Sequence, residues 1–365
     1  MKIGFYSPLP PARTGVAEYS FALKRALETR AQVEVNASEA DVFLYHLGNN
    51  QLHRPIYERA LESPGVVVLH DAVLHHFFLG SLDKQSYVAE FVYNHGEWSR
   101  DFAHALWRDR ARSASDARYF EYPMLKRITE VSRAVIVHNP GAAALVRAHS
   151  PAALVHEIPH LFDPPTPVPR YEVETLRSQL GVKPGAFLLG VFGYLRESKR
   201  LPSVLRALRN VVNVQLLVCG EFASSDLARA LDPELQQQGV IRVGYLNDFD
   251  WWRHAAVVDA CVNLRYPAAG ETSGIAIRLM GIGKPVIVSA GQETSRFPPG
   301  TCVAVETGLG EEDMLADVLC WLSAHRADAQ CIGAQAAEYV SRVHALDTAA
   351  ERYRKYLMEC CYNKP

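Results

Sequence analysis

With 365 residues and 48% hydrophobic content, the chain has apolar material for two domains of ordinary size and reads as a folded globular protein. Its 38 Lys and Arg against 40 Asp and Glu leave a formal net charge of −2, which excludes the overall basic field that nonspecific nucleic-acid binding requires. Four of the seven cysteines, Cys219, Cys261, Cys302 and Cys320, lie in apolar runs where a free thiol packs as a small hydrophobe; no pair has C-x-x-C spacing, and adjacent Cys360 and Cys361 are not a zinc pattern. A reducing, cytoplasmic compartment is implied. The N-terminus opens as a strand rather than a signal core, and no apolar run reaches the roughly 18 to 20 residues that span a bilayer, so the expected protein is soluble or at most peripheral at the inner membrane surface.

Along the chain, short runs apolar on both faces alternate with helix-length amphipathic segments. "KIGFYS", "DVFLYHL", "GVVVLHD" and "AVIVHN" precede a proline-rich break; "FLLGVFGYL", "VQLLVCGE", "DACVNLRY" and "KPVIVSA" follow it. These read as buried parallel strands, and the alternation as doubly wound α/β architecture. In such sheets ligands bind beyond the carboxyl ends of the strands, so the residues just after each strand carry the chemistry.

After the first strand comes "SPLPPARTGVAEYSFALKRALE", a proline-rich loop, Gly15 and a helix whose Ala17, Phe21 and Leu27 are expected to face the core. A glycine at a helix entry lets backbone N–H groups meet a phosphate, although a simple turn reads equally well, and the absence of G-x-G-x-x-G disfavours a nicotinamide cofactor. "YHLGNN" concentrates Tyr45, His46, Asn49 and Asn50 where a polyhydroxylated ligand is readable, or where an Asn-Asn turn is needed. His70, at the end of "GVVVLHD", is a proton carrier, a polar contact for substrate, or a structural histidine; Asp71 orients it or caps the next helix. His75 and His76 read as helix surface or core. In "VIVHNPGAAALV" Asn139 caps a helix with Pro140 at its first position.

"DPPTPVPR", residues 163–170, holds four prolines in eight residues and reads as a stiff linker. Beyond it, Arg196, Lys199 and Arg200 crowd one short loop after Gly193, as a solvated cluster or as a clamp for a polyanion such as pyrophosphate. Before the apolar helix of "YPAAGETSGIAIRLMGIGKPVIVS", the group Glu271, Thr272, Ser273 and Gly274 offers a helix N-terminus to an anion and a carboxylate to hydroxyls; the plainer reading is a helix cap. Phosphate and hydroxyl recognition together suggest a nucleotide sugar. The final segment, "TAAERYRKYLMECC", reads as a terminal helix.

These stretches resemble a known family, the family 4 glycosyltransferases (glycosyl transferases group 1) with the GT-B fold. The resemblance runs through "PLPPARTGVAEYS", "GVVVLHD", "GYLRESKR" and above all "RYPAAGETSGIAIRLMGIGKPVIVS", and so covers nearly the whole chain. It implies two Rossmann-like doubly wound parallel-sheet domains facing a central cleft: residues 1–165 mainly for the acceptor, 166–347 for the nucleotide-sugar donor, and 348–365 as a C-terminal helix crossing back to the first domain. It implies a retaining, metal-independent transfer with no cofactor. Lys199 and the less securely matched Arg196 would bind donor phosphate, Gly15 would approach the donor phosphates, His70 would lie near the transferred sugar, and Glu271 matches the first glutamate of the E-x7-E motif. Tyr45, His46, Asn49 and Asn50, with the loops near His95, Glu97 and Trp98, are the candidates for an acceptor that the sequence leaves unnamed. The second glutamate, which in the family grips the ribose, is missing: counting gives Leu279, and alignment on "GKPVIV" brings Arg278 nearest. Two rivals remain at this point, a GT-B-like nucleotide-sugar epimerase or hydrolase, and a nucleotide-sugar-binding protein without turnover.

Overall fold

Twelve strands form two wholly parallel six-stranded sheets in a computed structural model that describes residues 1–362. The chain divides into two units: Met1–Leu161 with Pro267–Gly274 and the chain from Val343 onward, and Phe162–Tyr266 with Ile275–Arg342.

In the first unit the strands are β1 (Lys2–Tyr6), β2 (Gln32–Val35), β3 (Val42–Leu47), β4 (Val66–Leu69), β5 (Ala134–Val137) and β6 (Val155–Glu157), in the spatial order β2-β1-β3-β4-β5-β6. In the second they are β7 (Phe187–Phe192), β8 (Val214–Cys219), β9 (Val240–Val243), β10 (Ala260–Asn263), β11 (Val286–Ser289) and β12 (Val303–Val305), in the order β12-β11-β10-β7-β8-β9. The second order is that of the dinucleotide-binding sheet, and the first that of the flavodoxin-like sheet. Each reverses direction once, between β1 and β3 in one unit and between β7 and β10 in the other. Loops leaving the two strands at a reversal diverge to opposite faces, which opens a crevice at their carboxyl ends.

All eight runs expected as strands are strands. The four that were not expected, β2, β6, β9 and β12, are the four sheet edges. Interior strands such as β4 and β5 are buried at every position, whereas β2 and β9 are nowhere fully buried, so their sequences "QVEV" and "VIRV" lack a continuous apolar run.

The helix Gly15–Glu28 starts where the Thr14 side chain accepts from Ala17 N at 3.0 Å, and it buries Ala17, Tyr19, Ser20, Leu23, Ala26 and Leu27. That stripe turns Phe21 outward, where it is 45% exposed beneath the Arg25 guanidinium, so Phe21 is not the core residue expected. Residues 163–169 carry neither helix nor strand, and the helix Arg170–Gln179 follows Pro169 directly.

The last helix, Leu346–Tyr362, packs in the first unit: Ala349, Ala350, Tyr353, Leu357 and Cys360 join the cluster of Ile3, Phe5, Tyr19 and Leu23, and Arg30 pairs with Asp347 at 2.8 Å. Residues 363–365 of the expected terminal helix lie outside the described residues. Tyr19 and Tyr353, both buried, share one hydrogen bond between their hydroxyls at 2.9 Å. Deleting one hydroxyl strands its partner without water. Tyr353→Phe is therefore expected to lower unfolding free energy by about 1–3 kcal/mol, and the double variant Tyr19→Phe/Tyr353→Phe to recover most of that loss. Chemical denaturation of the four proteins of the cycle checks this; strictly additive losses would contradict it.

Candidate functional site

At the β7/β10 reversal of the second unit, β7 ends at Phe192 and the chain turns through Gly193, at φ +87°, into the short 3-10 turn Glu197–Lys199. A Cβ on Gly193 would sit 2.3 Å from Ile275 Cδ1, so both backbone and packing require glycine there. Lys199 is 7% exposed, and its ammonium donates back to the Phe192 carbonyl, which holds the charge at the strand end. Arg196 is exposed, its guanidinium lying 5.6 Å from the Tyr194 ring centroid. Arg200, the third cation of the run, points elsewhere: its Nε donates to Glu311 at 2.9 Å, an ion pair whose carboxylate is almost wholly buried. Lys199 and Arg196 are the two cations of the run that stay beside the strand end.

The turn Pro267–Gly274, which follows β10 in sequence, packs within the first unit. Ala72 N donates to Ala269 O at 2.7 Å, and Asn139 Nδ2 donates to Gly270 O at 2.9 Å and to Thr272 Oγ1 at 3.0 Å. Gly270, at φ +76°, would place a Cβ 2.7 Å from Ala72 Cβ. The Glu271 carboxylate accepts from Ala269 N at 2.7 Å and so faces its own turn. Asn139 does cap its helix, its Oδ1 accepting from Ala142 N at 2.7 Å, and its amide end supplies the anchor of the turn that sequence reasoning did not foresee. Gly274 opens the helix Gly274–Gly281 beside the His160 ring, which an added Cβ would approach to 3.0 Å. Thr272 and Ser273 are half-buried.

His70 follows β4 and is buried in a cluster that brings together residues far apart in sequence. Its Nε2 lies 3.0 Å from His46 Nδ1, and the Tyr19, His138 and His46 rings stand 4.9, 5.0 and 5.3 Å from it. His138 Nδ1 is bonded to Ile158 O, which fixes that ring in turn. Burial, with the neighbouring imidazoles as a lesser cause, holds His46 and His70 well below the ordinary histidine range, and His138 at about 4. The cluster is therefore neutral at pH 7. His46 Nε2 has no partner among the described residues, so a proton there would be a buried, unpaired donor. The hydrogen-bond network thus assigns the proton of the pair to His46 Nδ1, donating to His70 Nε2, and leaves His70 protonated on Nδ1. His70 offers a hydrogen-bond donor along its Nδ1 edge.

The acceptor group expected in "YHLGNN" needs correction. Strand β3 extends through Leu47, so Tyr45 and His46 are strand residues, both fully buried: Tyr45 bonds to Ser63 O at 2.7 Å on one face of the sheet, and His46 joins the histidine cluster on the other. Asn49 Oδ1 accepts from Phe77 N at 2.9 Å, its backbone N donates to Asp71 at 2.7 Å, and Asn50 Oδ1 caps the next turn through Leu52 N at 3.0 Å. Both asparagines build the turn. His75 is core and His76 partly buried, while Trp98 is 73% exposed.

At the β1/β3 reversal stands Gly15, the first residue of its helix. It is exposed, and an added Cβ would meet nothing within 4 Å. Neither packing nor a left-handed backbone requires glycine at this position. Among the described residues no group of three His, Cys, Asp or Glu side chains is placed to hold a metal ion, and no helix is long and apolar enough to cross a membrane.

No family model and no curated protein matches the chain in sequence. Solved structures do match. Sucrose-phosphate synthase from Thermosynechococcus elongatus is 16% identical with a TM-score of 0.70, each chain covered in full. HepE of Anabaena, in complex with UDP-glucose, is 17% identical with a TM-score of 0.67, covering 98% of this chain and 100% of its own. WaaG, a glycosyltransferase involved in lipopolysaccharide biosynthesis, is 13% identical with a TM-score of 0.61, covering 98% and 99%. At these identities the likeness speaks for the fold, which is that of the GT-B glycosyltransferases: two Rossmann-like, parallel-sheet α/β domains in one chain.

Proposed function

We propose that the chain is a glycosyltransferase of the family 4 type, moving a sugar from a nucleotide-sugar donor to an acceptor hydroxyl with retention at the anomeric carbon and without a metal ion. The observation that carries this reading is the β7/β10 reversal, where the Lys199 ammonium, the exposed Arg196 and the Gly193 turn gather at the strand ends on which doubly wound sheets hold phosphate groups. The UDP-glucose and UDP bound in the Anabaena neighbour support the ligand class.

In the second unit, Lys199 and Arg196 hold the donor diphosphate. As the bond from sugar C1 to the phosphate oxygen breaks, its electron pair passes to the leaving diphosphate, and the two fixed cations stabilise that charge without reorganising. The acceptor oxygen bonds to C1 on the face the diphosphate leaves, and its proton passes to the departing phosphate oxygen; that shared face gives retention. In the first unit, neutral His70 donates from Nδ1 to a sugar hydroxyl, and Glu271, steadied by Ala269 N, accepts from another. His70 positions and does not exchange its proton.

Lys199→Met keeps the buried stem and removes the charge, so kcat/KM is expected to fall about 10²- to 10³-fold with the melting temperature little changed. Turnover within a few-fold of the parent in a folded variant would remove the phosphate role. Gly15→Ala separates function from stability differently. Because the space above Gly15 is open and alanine is the better helix former, the variant is expected to be as stable as the parent or slightly more so, yet to lose transfer activity about tenfold or more as its methyl blocks approach to the helix start. Unaltered activity would reduce Gly15 to a turn residue.

A further inference from the structure

The loop after β9, "GYLNDFDWW", leads into the helix Asp248–Val257 and carries a constellation that the functional reading above leaves unused. The Arg278 guanidinium, on the helix Gly274–Gly281, lies in the corner of two nearly perpendicular indoles, 3.9 Å from the Trp251 ring centroid and 4.1 Å from that of Trp252. It ion-pairs with Asp248 Oδ1, while Trp252 Nε1 donates to Asp248 Oδ2 at 3.2 Å. Both oxygens of this carboxylate are thus held, although its side chain is 63% exposed. Surface ion pairs add little stability and ordinarily leave the carboxylate free to rotate. Here an arginine packed against two aromatic rings, an arrangement favourable in itself, fixes the direction in which a solvent-facing carboxylate presents its remaining lone pairs.

The helix that carries Arg278 also carries Ile275, whose Cδ1 packs over Gly193 in the turn that leads to the phosphate lysine. The Trp251 ring lies 5.4 Å from the ring of Phe192, and the Phe192 carbonyl is the acceptor for Lys199 Nζ. Two aromatic side chains of the same loop and helix start are exposed, Tyr245 at 48% and Phe249 at 70%. A nucleoside diphosphate with its phosphates on Lys199 carries its ribose next and its base beyond. An oriented carboxylate in the same unit as the phosphate lysine, beyond the carboxyl ends of the same sheet, matches the vicinal ribose hydroxyls, which are donors, and an exposed aromatic ring matches a base.

Resting on the proposed donor site, we infer that Asp248, held by Arg278 and Trp252, grips the ribose hydroxyls of the nucleotide, with Arg278 as the positioning residue.

Titration calorimetry of the full chain with UDP, GDP and ADP, then with the 2′-deoxy and 3′-deoxy forms of whichever binds, tests this. The parent protein is expected to lose about tenfold or more in affinity when the gripped hydroxyl is removed. Asp248→Asn is expected to lose a similar factor for the ribonucleotide, and to bind ribo and deoxy forms nearly alike at an unchanged melting temperature. Asp248→Glu should restore part of the discrimination. If Asp248→Asn discriminates ribo from deoxy as the parent does, the assignment of Asp248 is overturned while the donor site stands. If no nucleoside diphosphate binds the parent, the donor site falls and this inference with it.

Discussion

A parallel strand can leave its sheet only by a crossover, and where successive crossovers run in opposite directions two neighbouring strands send their loops to opposite faces. That constraint organises the chemistry of this chain. Each of its six-stranded sheets reverses once, and the backbone opens there without any special device. The β1/β3 reversal exposes the start of the helix at Gly15; the β7/β10 reversal exposes Gly193 and the turn that carries Lys199. Glycine at 193 is fixed by its conformation and by Ile275, whereas glycine at 15 answers to no internal demand. A residue that the fold does not need is the better pointer to a ligand.

The two units achieve polarity in different ways. In the second, permanent cations stand at a strand end, one of them buried and held by a carbonyl. In the first, imidazoles meet a tyrosine edge-on or tilted in surroundings dry enough to keep them uncharged, so they contribute directed hydrogen bonds and no net charge. Cations suit a leaving diphosphate and neutral donors suit sugar hydroxyls. The same dry environment explains why the Tyr19 and Tyr353 hydroxyls must satisfy each other.

Interior strands were legible because both of their faces are buried and their sequences are continuous apolar runs; the four edge strands were not, since an edge carries polar residues on the side facing water and is too short to show a period. Loop residues read after a strand end were located as well as that end was. Lys199 and His70 follow strands whose ends the sequence marks clearly, whereas "YHL" reads both as the end of a strand and as a polar segment, and in β3 Tyr45 and His46 are buried strand residues. Phe21 was misjudged because helical spacing admits two neighbouring stripes and only tertiary packing chooses between them. The partners of His70, the Asn139 anchor of the 267–274 turn and the Asp248–Arg278 pair join positions tens to more than a hundred residues apart, and no local pattern encodes such meetings.

The central claim is that the reversal carrying Lys199 holds a nucleoside diphosphate, and the most direct measurement of it is the melting temperature of the purified chain against a panel of nucleoside diphosphates and their sugars. A ligand that binds only the folded state at a hundred times its dissociation constant adds about 2.7 kcal/mol of stability, enough to raise the melting temperature by a few degrees. Such a rise is expected for one nucleotide series, present in the parent and lost in Lys199→Met. A melting temperature unmoved by every member of the panel would contradict it.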